Sequence, residues 1–129
     1  MRGTQVKKPR KYTFELGIEP ADLRILRRSI TTYLNGALSA PALRDVLLVA
    51  TEFAANAQLH GTPPRSVHVT ERDGAVRVSV HDSSPELPSR THTPDAAGGY
   101  GLAIVSHIAI ASGVDCQCHS KSVWADIAT

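Results

Sequence analysis

The stretch LLVATEFAANAQLHG, residues 47–61, decides the fold that we predict for this chain. It belongs to a helix that starts near Ser39 and ends near Leu59, because a Gly-Thr-Pro-Pro run follows it. Apolar side chains cover most of the circumference of this helix, which indicates that it is buried. Two polar side chains interrupt that surface, Glu52 and Asn56, and their spacing of four residues puts them on one face. The arc that we expect to face the core consists of Leu43, Val46, Leu47, Ala50, Phe53, Ala54 and Ala57.

The pair formed by Glu52 and Asn56 has two interpretations. A carboxylate and a carboxamide on one helix face can orient a hydrated divalent cation, because such cations prefer oxygen ligands. The same side chains can instead form an ordinary polar strip on the exposed side of an amphipathic helix. The spacing alone leaves both interpretations open.

A short strand and a helix precede this segment. Residues 12–17 alternate between apolar and polar side chains and end at a glycine, which is typical of a strand. A Pro-Ala-Asp run from Pro20 then begins a helix that ends near Asn35 and Gly36. The apolar face that we expect this helix to bury consists of Leu23, Leu26, Ile30, Tyr33, Leu34 and Ala37.

A β-hairpin follows the long helix. Residues 66–71 and 75–81 carry valine at alternate positions, and an Asp-Gly turn joins the two runs. Asp82 continues the second run on the same face as its valines, so an acidic side chain reaches the core side of the sheet. Its carboxylate can accept a hydrogen bond from a ligand amine, or it can cap the turn that begins at Ser83.

Residues 83–99 form a long segment with three prolines. A loop of this length inside a compact domain is typical of a functional lid or of a disordered region. The segment leads into glycines at positions 98, 99 and 101, before an apolar helix that we place at residues 102–111. Backbone amides and the helix dipole can meet a phosphate at such a start, and a flexible hinge explains the same glycines equally well.

The chain closes with two alternating runs, residues 114–118 and 122–127. Cys116 and Cys118 fall on one face of the first run, so we expect two small core residues. A metal site is the weaker interpretation, because the cysteines and His119 offer too few ligands. The order of elements predicts an α/β two-layer sandwich, in which helices pack on one face of a mixed, mainly antiparallel sheet.

The charge of the chain is unevenly distributed. The 129 residues carry 14 Lys and Arg against 12 Asp and Glu, but residues 1–11 hold five of the basic side chains and none of the acidic ones. We therefore predict a basic, disordered tail at residues 1–11 and a single domain at residues 12–129. A dedicated DNA-binding domain would carry its basic stripe on the folded part, whereas residues 12–129 hold nine basic against 12 acidic side chains. Direct nucleic-acid binding is therefore not expected. Binding of nucleic acid through the tail is the minor alternative, and it predicts a steep salt dependence.

The sequence also bears on location. It has no apolar run of the roughly 18 residues that a membrane-spanning helix needs, and no apolar signal core follows its basic start. Two cysteines are too few for a disulfide framework and suit a reducing compartment. We expect a soluble, cytoplasmic protein without a membrane partner.

The order of these features resembles the GHKL, or Bergerat-fold, superfamily of ATP-binding proteins. Three stretches carry the resemblance, which covers nearly the whole chain from residue 12. They are residues 47–61 as the helix motif, GGYGLAIVSHIA (98–109) as the Gly-rich box and KSVWADI (121–127) as the closing strand. Within the superfamily, the chain is most similar to bacterial anti-sigma-factor serine/threonine kinases.

The resemblance implies a role for each motif residue. Glu52 would be the general base for a partner's hydroxyl, and Asn56 would hold the Mg²⁺ that bridges the ATP phosphates. Asp82 would bind the adenine amino group. The other cofactor-binding positions that the resemblance implies are Gly99, Gly101 and the Leu102 amide at the phosphates, and Ser122 near the base.

One departure from the family pattern bears on activity. The family's fuller form has Asp-x-Gly-x-Gly at its first pocket box, whereas residues 82–86 read Asp-Ser-Ser-Pro-Glu, without either glycine. Serine restricts the backbone where glycine could approach a nucleotide closely, and Pro85 fixes φ. Residues 83–97, which would close over the nucleotide as a lid, therefore begin with an altered loop.

The resemblance implies an ATP-binding, Mg²⁺-dependent anti-sigma factor that phosphorylates a serine or threonine of a small antagonist protein. Its partners would be a sigma factor and that antagonist, and the chain would form a homodimer. The alternative is a non-catalytic module of the same fold, which binds its partners with weak or no ATP turnover.

Overall fold

The computed structural model describes residues 10–84 and 99–129, and for residues 99–102 it describes the backbone. These residues form three helices and five strands. In order they are β1 (Lys11–Glu15), α1 (Pro20–Tyr33), α2 (Ala40–His60), β2 (Ser66–Arg72), β3 (Ala75–Asp82), α3 (Gly99–Ile108), β4 (Ala111–Gln117) and β5 (Ser120–Ala128).

The five strands form one open sheet in the order β1-β2-β3-β5-β4. Every neighbouring pair of described strands is antiparallel. This agrees with the mainly antiparallel sheet that the sequence predicts, without a parallel pair among the described strands. The predicted hairpin is confirmed as β2 and β3, and Gly74 in its turn has a φ of 72° that favours glycine. The two-layer α/β fold is therefore as predicted.

The helices cover one face of this sheet. The central helix, α2, contacts β3 and β5 and lies next to both α1 and α3. The rings of Tyr12 and Tyr33 are 5.1 Å apart, which places α1 over the β1 edge. Because α3 runs directly into β4 at the other edge, we infer that α1 and α3 lie on opposite flanks of α2.

The core lies between α2 and the inward side chains of the hairpin. Its valines on β2 and β3 are essentially inaccessible to solvent, and each contributes about 1.5–3 kcal/mol by burial. These valines are Val67, Val69, Val76, Val78 and Val80. Toward them α2 buries Ala42, Val46, Val49, Ala50, Phe53, Ala54 and Ala57.

Two details of the predicted core are corrected. Val49 is buried although we placed it outside the core arc, whereas Leu43 and Leu47 are only partly buried. The core arc of α2 is thus rotated by a fraction of a turn. Ala37 is exposed because α1 ends at Tyr33, before the chain reaches it.

The C-terminal third also differs from the prediction. Helix α3 runs from Gly99 to Ile108, three residues earlier than predicted, so Gly99 and Gly101 belong to its first turn. Gly98 lies outside the described residues. Cys116 and Cys118 are free and exposed, which overturns the prediction that they are core residues. The reason is that β4 is an edge strand of the described sheet and ends at Gln117. Among the described strands, Cys116 therefore has a neighbour on one side only, and Cys118 lies beyond the strand end.

The N-terminal boundary lies slightly before the predicted one. Lys11 begins β1, and Arg10 forms an ion pair with Glu71 at 3.0 Å. Two of the five basic residues that we assigned to the tail are therefore part of the sheet edge, and residues 1–9 lie outside the described residues. Among the described helices, none is long and apolar enough to cross a membrane.

Candidate functional site

Asp82 ends β3 on the inner face of the sheet, as its position in the alternation predicts. Its side chain is only 3% exposed. One carboxylate oxygen, Oδ1, accepts a hydrogen bond from the Ser84 backbone N–H at 2.7 Å. The other, Oδ2, lies 3.3 Å from the ammonium nitrogen Nζ of Lys121. The turn-capping interpretation of Asp82 is therefore correct, and it holds together with a buried ion pair.

The Asp82–Lys121 pair is a strong constraint on this end of the sheet. The two residues are directly opposite each other in the β3–β5 register, and the Lys121 side chain is 9% exposed. Removing one partner of such a buried pair typically costs about 3–5 kcal/mol, because the remaining charge loses its counter-ion in a poorly solvated site. We missed Lys121 as a site residue, although its place on the inward-facing positions of β5 was a usable signal.

The end of α2 presses against Asp82 from the other side. A methyl group added at Gly61 would lie 2.9 Å from the Asp82 carboxyl carbon and 2.7 Å from the Ala57 carbonyl oxygen. Behind it, the Ser83 backbone N–H donates to the Thr62 carbonyl at 2.9 Å. The close approach is what requires glycine at position 61. Backbone conformation does not require it, because any residue can adopt its φ of −85°.

Arg65 holds the end of α2 in place. Its guanidinium donates to the Ala57 carbonyl at 2.7 Å and to the Gly61 carbonyl at 2.8 Å, and the residue is 8% exposed. The last carbonyls of a helix lack partners within the helix, and a cation there also matches the helix dipole. We did not predict this capping role of Arg65, although a basic residue just beyond the end of a helix usually indicates one.

Glu52 and Asn56 lie on the flank of α2 that faces away from α1. The opposite flank of α2 is engaged, since Arg27 donates to Thr51 and the Gln58 amide donates to the carbonyls of Gly17 and Glu19. At 100° per residue, Glu52 and Asn56 lie on the other side of the buried arc. Both are half-buried, and no hydrogen bond or ion pair from residues 10–84 and 99–129 reaches either side chain.

The Gly-rich box forms the first turn of α3. Gly99, Gly101 and Leu102 lie among the first four residues of this helix. The first four N–H groups of an α-helix have no partner within it, and the dipole makes that end attractive to anions. The predicted lid, residues 83–97, lies outside the described residues except for Ser83 and Ser84.

The structure does not bring Ser122 together with Asp82. Ser122 pairs with His81 in the β3–β5 register, one position after the Asp82–Lys121 pair. Because side chains alternate along a strand, Ser122 belongs to the outer face of the sheet and Asp82 to the inner face. The predicted position of Ser122 beside an adenine base is therefore corrected, and Lys121 occupies the inner position.

The oxygen donors of this region suit a hard cation that arrives with a ligand. The Asn56 carbonyl oxygen and the Glu52 carboxylate are available, and both are donor types that Mg²⁺ accepts. Within the described part of the chain, no group of three or more His, Cys, Asp or Glu side chains could hold a metal ion by itself. The chemistry of the donor set therefore fits Mg²⁺ bound jointly with phosphate oxygens.

Comparison with known proteins agrees with this architecture. The chain is 17% identical to the RsbU and RsbW domains of Rv1364c from Mycobacterium tuberculosis, with a TM-score of 0.70 over 92% of this chain and 32% of that one. It is also 17% identical to the histidine kinase domain of the Erythrobacter litoralis EL346 blue-light activated histidine kinase. There the TM-score is 0.55, over 84% of this chain and 59% of that one. At such identities the likeness shows a shared fold.

The chain spans about a third of the length of the first of these two structures. No curated protein matches it in sequence. The family model of the histidine kinase-like ATPase domain matches residues 17–116, from the end of β1 into β4. That span includes α2, the end of β3 and the Gly-rich start of α3, and the chain therefore belongs to the histidine kinase-like ATPase domain family.

Proposed function

We propose that this chain is a cytoplasmic anti-sigma factor that binds ATP with Mg²⁺ and phosphorylates a serine or threonine of a small antagonist protein. One observation carries the proposal. The flank of α2 that faces away from α1, on the side of α3, presents two oxygen-bearing side chains, Glu52 and Asn56, that have no protein partner among the described residues. The same helix ends against the buried carboxylate of Asp82. Membership of the histidine kinase-like ATPase domain family supports ATP as the ligand of these residues.

Each residue of the proposed site has a defined task in the complex with ATP and Mg²⁺. Asp82 accepts a hydrogen bond from the amino group of the base, because its carboxylate has a lone pair beyond those used by the N–H groups of Ser84 and Thr62 and by Lys121. Asn56 holds Mg²⁺ through its carbonyl oxygen. The N–H groups of Gly99, Gly101 and Leu102, in the first turn of α3, have no partner within the helix and donate hydrogen bonds to phosphate oxygens.

Glu52 is the proposed general base. Its carboxylate, free of protein partners among the described residues, would accept the proton of the antagonist's hydroxyl group as that oxygen attacks the γ-phosphate. Mg²⁺, when bound, neutralises charge on the phosphate oxygens. Glu52 therefore needs access to both a partner protein and a nucleotide. Its half-buried position on the flank of α2 that faces away from α1 is compatible with such access.

The partners of the chain are proposed from resemblance. Its motifs at residues 47–61, 98–109 and 121–127 resemble those of anti-sigma-factor kinases, and its fold is shared with a chain that contains RsbU and RsbW domains. We propose a sigma factor and an antagonist as alternative partners of a homodimer. Size-exclusion chromatography with light scattering tests the dimer, and pulldown with partner identification tests the two proteins.

A non-catalytic module of the same fold is the second candidate, and one observation favours it. Both oxygens of Asp82 already have protein partners, and the glycines that usually follow this residue in the family are replaced by serine and proline. Such a module would bind its partners through the same surfaces with weak or no ATP turnover.

Transfer of labelled phosphate separates the two candidates. The kinase proposal predicts label on the antagonist with the wild-type chain and none with Glu52→Gln, while both proteins bind ATP equally well in a calorimetric titration. Substituting Glu52 removes the base without changing the size of the side chain. If ATP binds but label never appears on any captured antagonist, the non-catalytic module is the correct description.

A further inference from the structure

Two histidines converge on the outer face of the sheet, which the proposed ATP site does not use. The ring centroids of His68 on β2 and His81 on β3 are 4.2 Å apart, and the ring planes are tilted by 56°. The two residues are diagonal neighbours, because His68 pairs with Ser79 and His81 pairs with Ser66 in the β2–β3 register. The residues on either side of each histidine are buried on the inner face, so both rings lie on the face opposite the helices.

The ring nitrogens of this histidine pair point toward a common space. Nε2 of His68 lies 2.8 Å from the hydroxyl oxygen of Ser66, which is the residue opposite His81. Nε2 of His81 lies 3.4 Å from the hydroxyl oxygen of Ser79, which is the residue opposite His68. Each ring therefore leans toward the position of the other, and both Nε2 atoms have neutral hydroxyl groups as their partners.

Thr13 orients the ring of His68 from β1. Its hydroxyl oxygen lies 3.1 Å from Nδ1 of His68. In the tautomer whose Nδ1–H donates to Thr13, Nε2 carries the lone pair on the side of His81. A hydrogen bond at the second ring nitrogen is typical of histidines that bind metals, because it fixes both the tautomer and the orientation of the ring.

We propose that His68 and His81 form a two-imidazole binding site for Cu²⁺ or Ni²⁺, with water in the remaining coordination positions. Imidazole is a suitable ligand for both ions. The site does not need a third His, Cys, Asp or Glu side chain, and the described part of the chain groups none with the pair. The inference is independent of the proposed function, since it uses neither the face nor the residues of the ATP site.

The separation of the rings selects these two ions. A metal–nitrogen bond is about 2.0 Å long, and the ring centre lies about 1.1 Å beyond the nitrogen. Two imidazoles at 90° around one ion therefore have centroids about 4.4 Å apart, whereas a tetrahedral angle separates them by about 5.1 Å. The 4.2 Å separation is closer to the first value. Square-planar and tetragonal coordination is typical of Cu²⁺ and Ni²⁺, while Zn²⁺ is mostly tetrahedral.

Two features of the surroundings oppose binding. The charge of Lys11 reaches both rings and repels a cation, but Lys11 is exposed, so solvent screens it. The metal also replaces the Ser66 hydroxyl at Nε2 of His68. That exchange costs one neutral hydrogen bond, which is weak compared with a metal–nitrogen bond.

Titration of the full chain with Cu²⁺ in the absence of nucleotide tests the site. Cys116→Ser/Cys118→Ser is the background, because the free, exposed thiols would bind or reduce the ion. Calorimetry should show one ion per chain, and electron paramagnetic resonance should show coupling to two imidazole nitrogens. His68→Asn and His81→Asn, made in this background, should each weaken binding by at least about tenfold and remove one of the two couplings.

His119→Asn is the matched control, because His119 is an exposed histidine in the turn between β4 and β5, outside the pair. This variant should bind Cu²⁺ like the background. Zn²⁺ should bind the background at least about tenfold more weakly than Cu²⁺ does. If His68→Asn does not fold, His81→Asn still decides, since His81 is exposed.

The contradicting results are separate from those that test ATP binding. Absence of Cu²⁺ binding up to about 0.1 mM, or equal affinities in the background and both variants of the pair, overturns the site. Zn²⁺ affinity equal to that of Cu²⁺ overturns the choice of metal. Failure of ATP and Mg²⁺ to bind would overturn the proposed function and leave the histidine site unaffected.

Discussion

At the scale of single residues, Gly61 is the position where the smallest change should have the largest effect on the site. We predict that Gly61→Ala lowers the free energy of unfolding by about 1–3 kcal/mol, since its methyl group would collide with the Asp82 carboxyl carbon and the Ala57 carbonyl oxygen. ATP affinity should fall as well, because Asp82 has to move. Urea unfolding and calorimetric titration measure the two effects.

Gly74→Ala is the matched control for that substitution. Gly74 has a φ of 72° in the β2–β3 turn, and nothing lies within 4 Å of a methyl group added there. Its replacement should cost stability through backbone strain alone, with ATP affinity unchanged. Equal ATP affinity in Gly61→Ala and wild type would show that Asp82 does not depend on this contact.

His68 on the outer face of the sheet should make stability depend on pH. Partial burial, with smaller contributions from His81 and Lys11, lowers the pKa of His68 from 6.5 to about 4. Its ring nitrogens contact the hydroxyl groups of Thr13 at 3.1 Å and Ser66 at 2.8 Å. Between about pH 6.5 and pH 4 the unfolded chain binds more protons at this residue, so His68 stabilises the fold above pH 6.5 and loses this contribution as the pH falls to 4.

Unfolding by urea across this pH range measures the effect. His68→Asn should reduce the decrease in stability on acidification relative to the wild-type chain. His107→Asn is the control, because His107 is exposed in the last turn of α3. The same pH dependence in wild type and His68→Asn would contradict the assigned cause.

Local sequence rules were sufficient for one residue of the Asp82–Lys121 pair but not for the other. Strict alternation along β3 placed Asp82 on the inner face. Alternation along β5 could place Lys121 on the inner face, but its position opposite Asp82 follows only from the pairing of β3 with β5, which joins segments that lie far apart in the chain. The same register moved Ser122 to the outer face, where resemblance had placed it near the base.

At the scale of elements, the stability of α2 depends on how its end is capped. We predict that Arg65→Met lowers the free energy of unfolding by about 2–3 kcal/mol, because the Ala57 and Gly61 carbonyls lose their buried donors. Arg65→Lys keeps the charge but only one donor position, so its loss should be smaller. Chemical unfolding compares the three proteins, and equal stabilities would mean that water caps the helix equally well.

Helices and strands were easier to predict than their ends. The periodicity of α2 and the Asp-Gly turn of the hairpin are local signals, and both elements form where we expected them. The start of α3 was placed too late because we treated its glycines as a loop, although they form the first turn. The two cysteines were placed in the core because alternation shows that residues share a face but does not show whether anything covers it.

At the scale of the whole molecule, Arg10 is the first residue that the structure describes, and it contacts both β2 and α1. Its guanidinium contacts Glu71 at 3.0 Å and the Tyr33 carbonyl at 3.1 Å, and its own carbonyl accepts from the Glu71 N–H at 2.9 Å. Deleting residues 1–9 should leave stability unchanged. Deleting residues 1–11 should lower the free energy of unfolding by about 1–2 kcal/mol, since those contacts and the first residue of β1 are lost.

Comparing the two truncations by thermal and urea unfolding tests this boundary, and equal stabilities would move it to residue 12 or beyond. The charge distribution predicts a tail at residues 1–11, because basic residues without acidic neighbours are typical of one, and this domain limit stays a prediction. Composition could not reveal that Arg10 and Lys11 join the sheet edge, since their partners, Glu71 and Thr70, lie on β2.

The central claim is that the chain binds ATP with Mg²⁺ on the flank of α2 that faces away from α1. Calorimetric titration of the wild-type chain, Asn56→Ala and Gln58→Ala with Mg²⁺ and ATP tests it most directly. Asn56 lies on that flank, whereas Gln58 lies on the flank whose side chains contact α1 and the segment before it.

We predict that Asn56→Ala weakens ATP binding by at least about tenfold, as expected for one lost contact to a charged ligand, and that Gln58→Ala binds like the wild type. Absence of binding to the wild-type chain at millimolar ATP, or equal affinities in all three proteins, would contradict the claim.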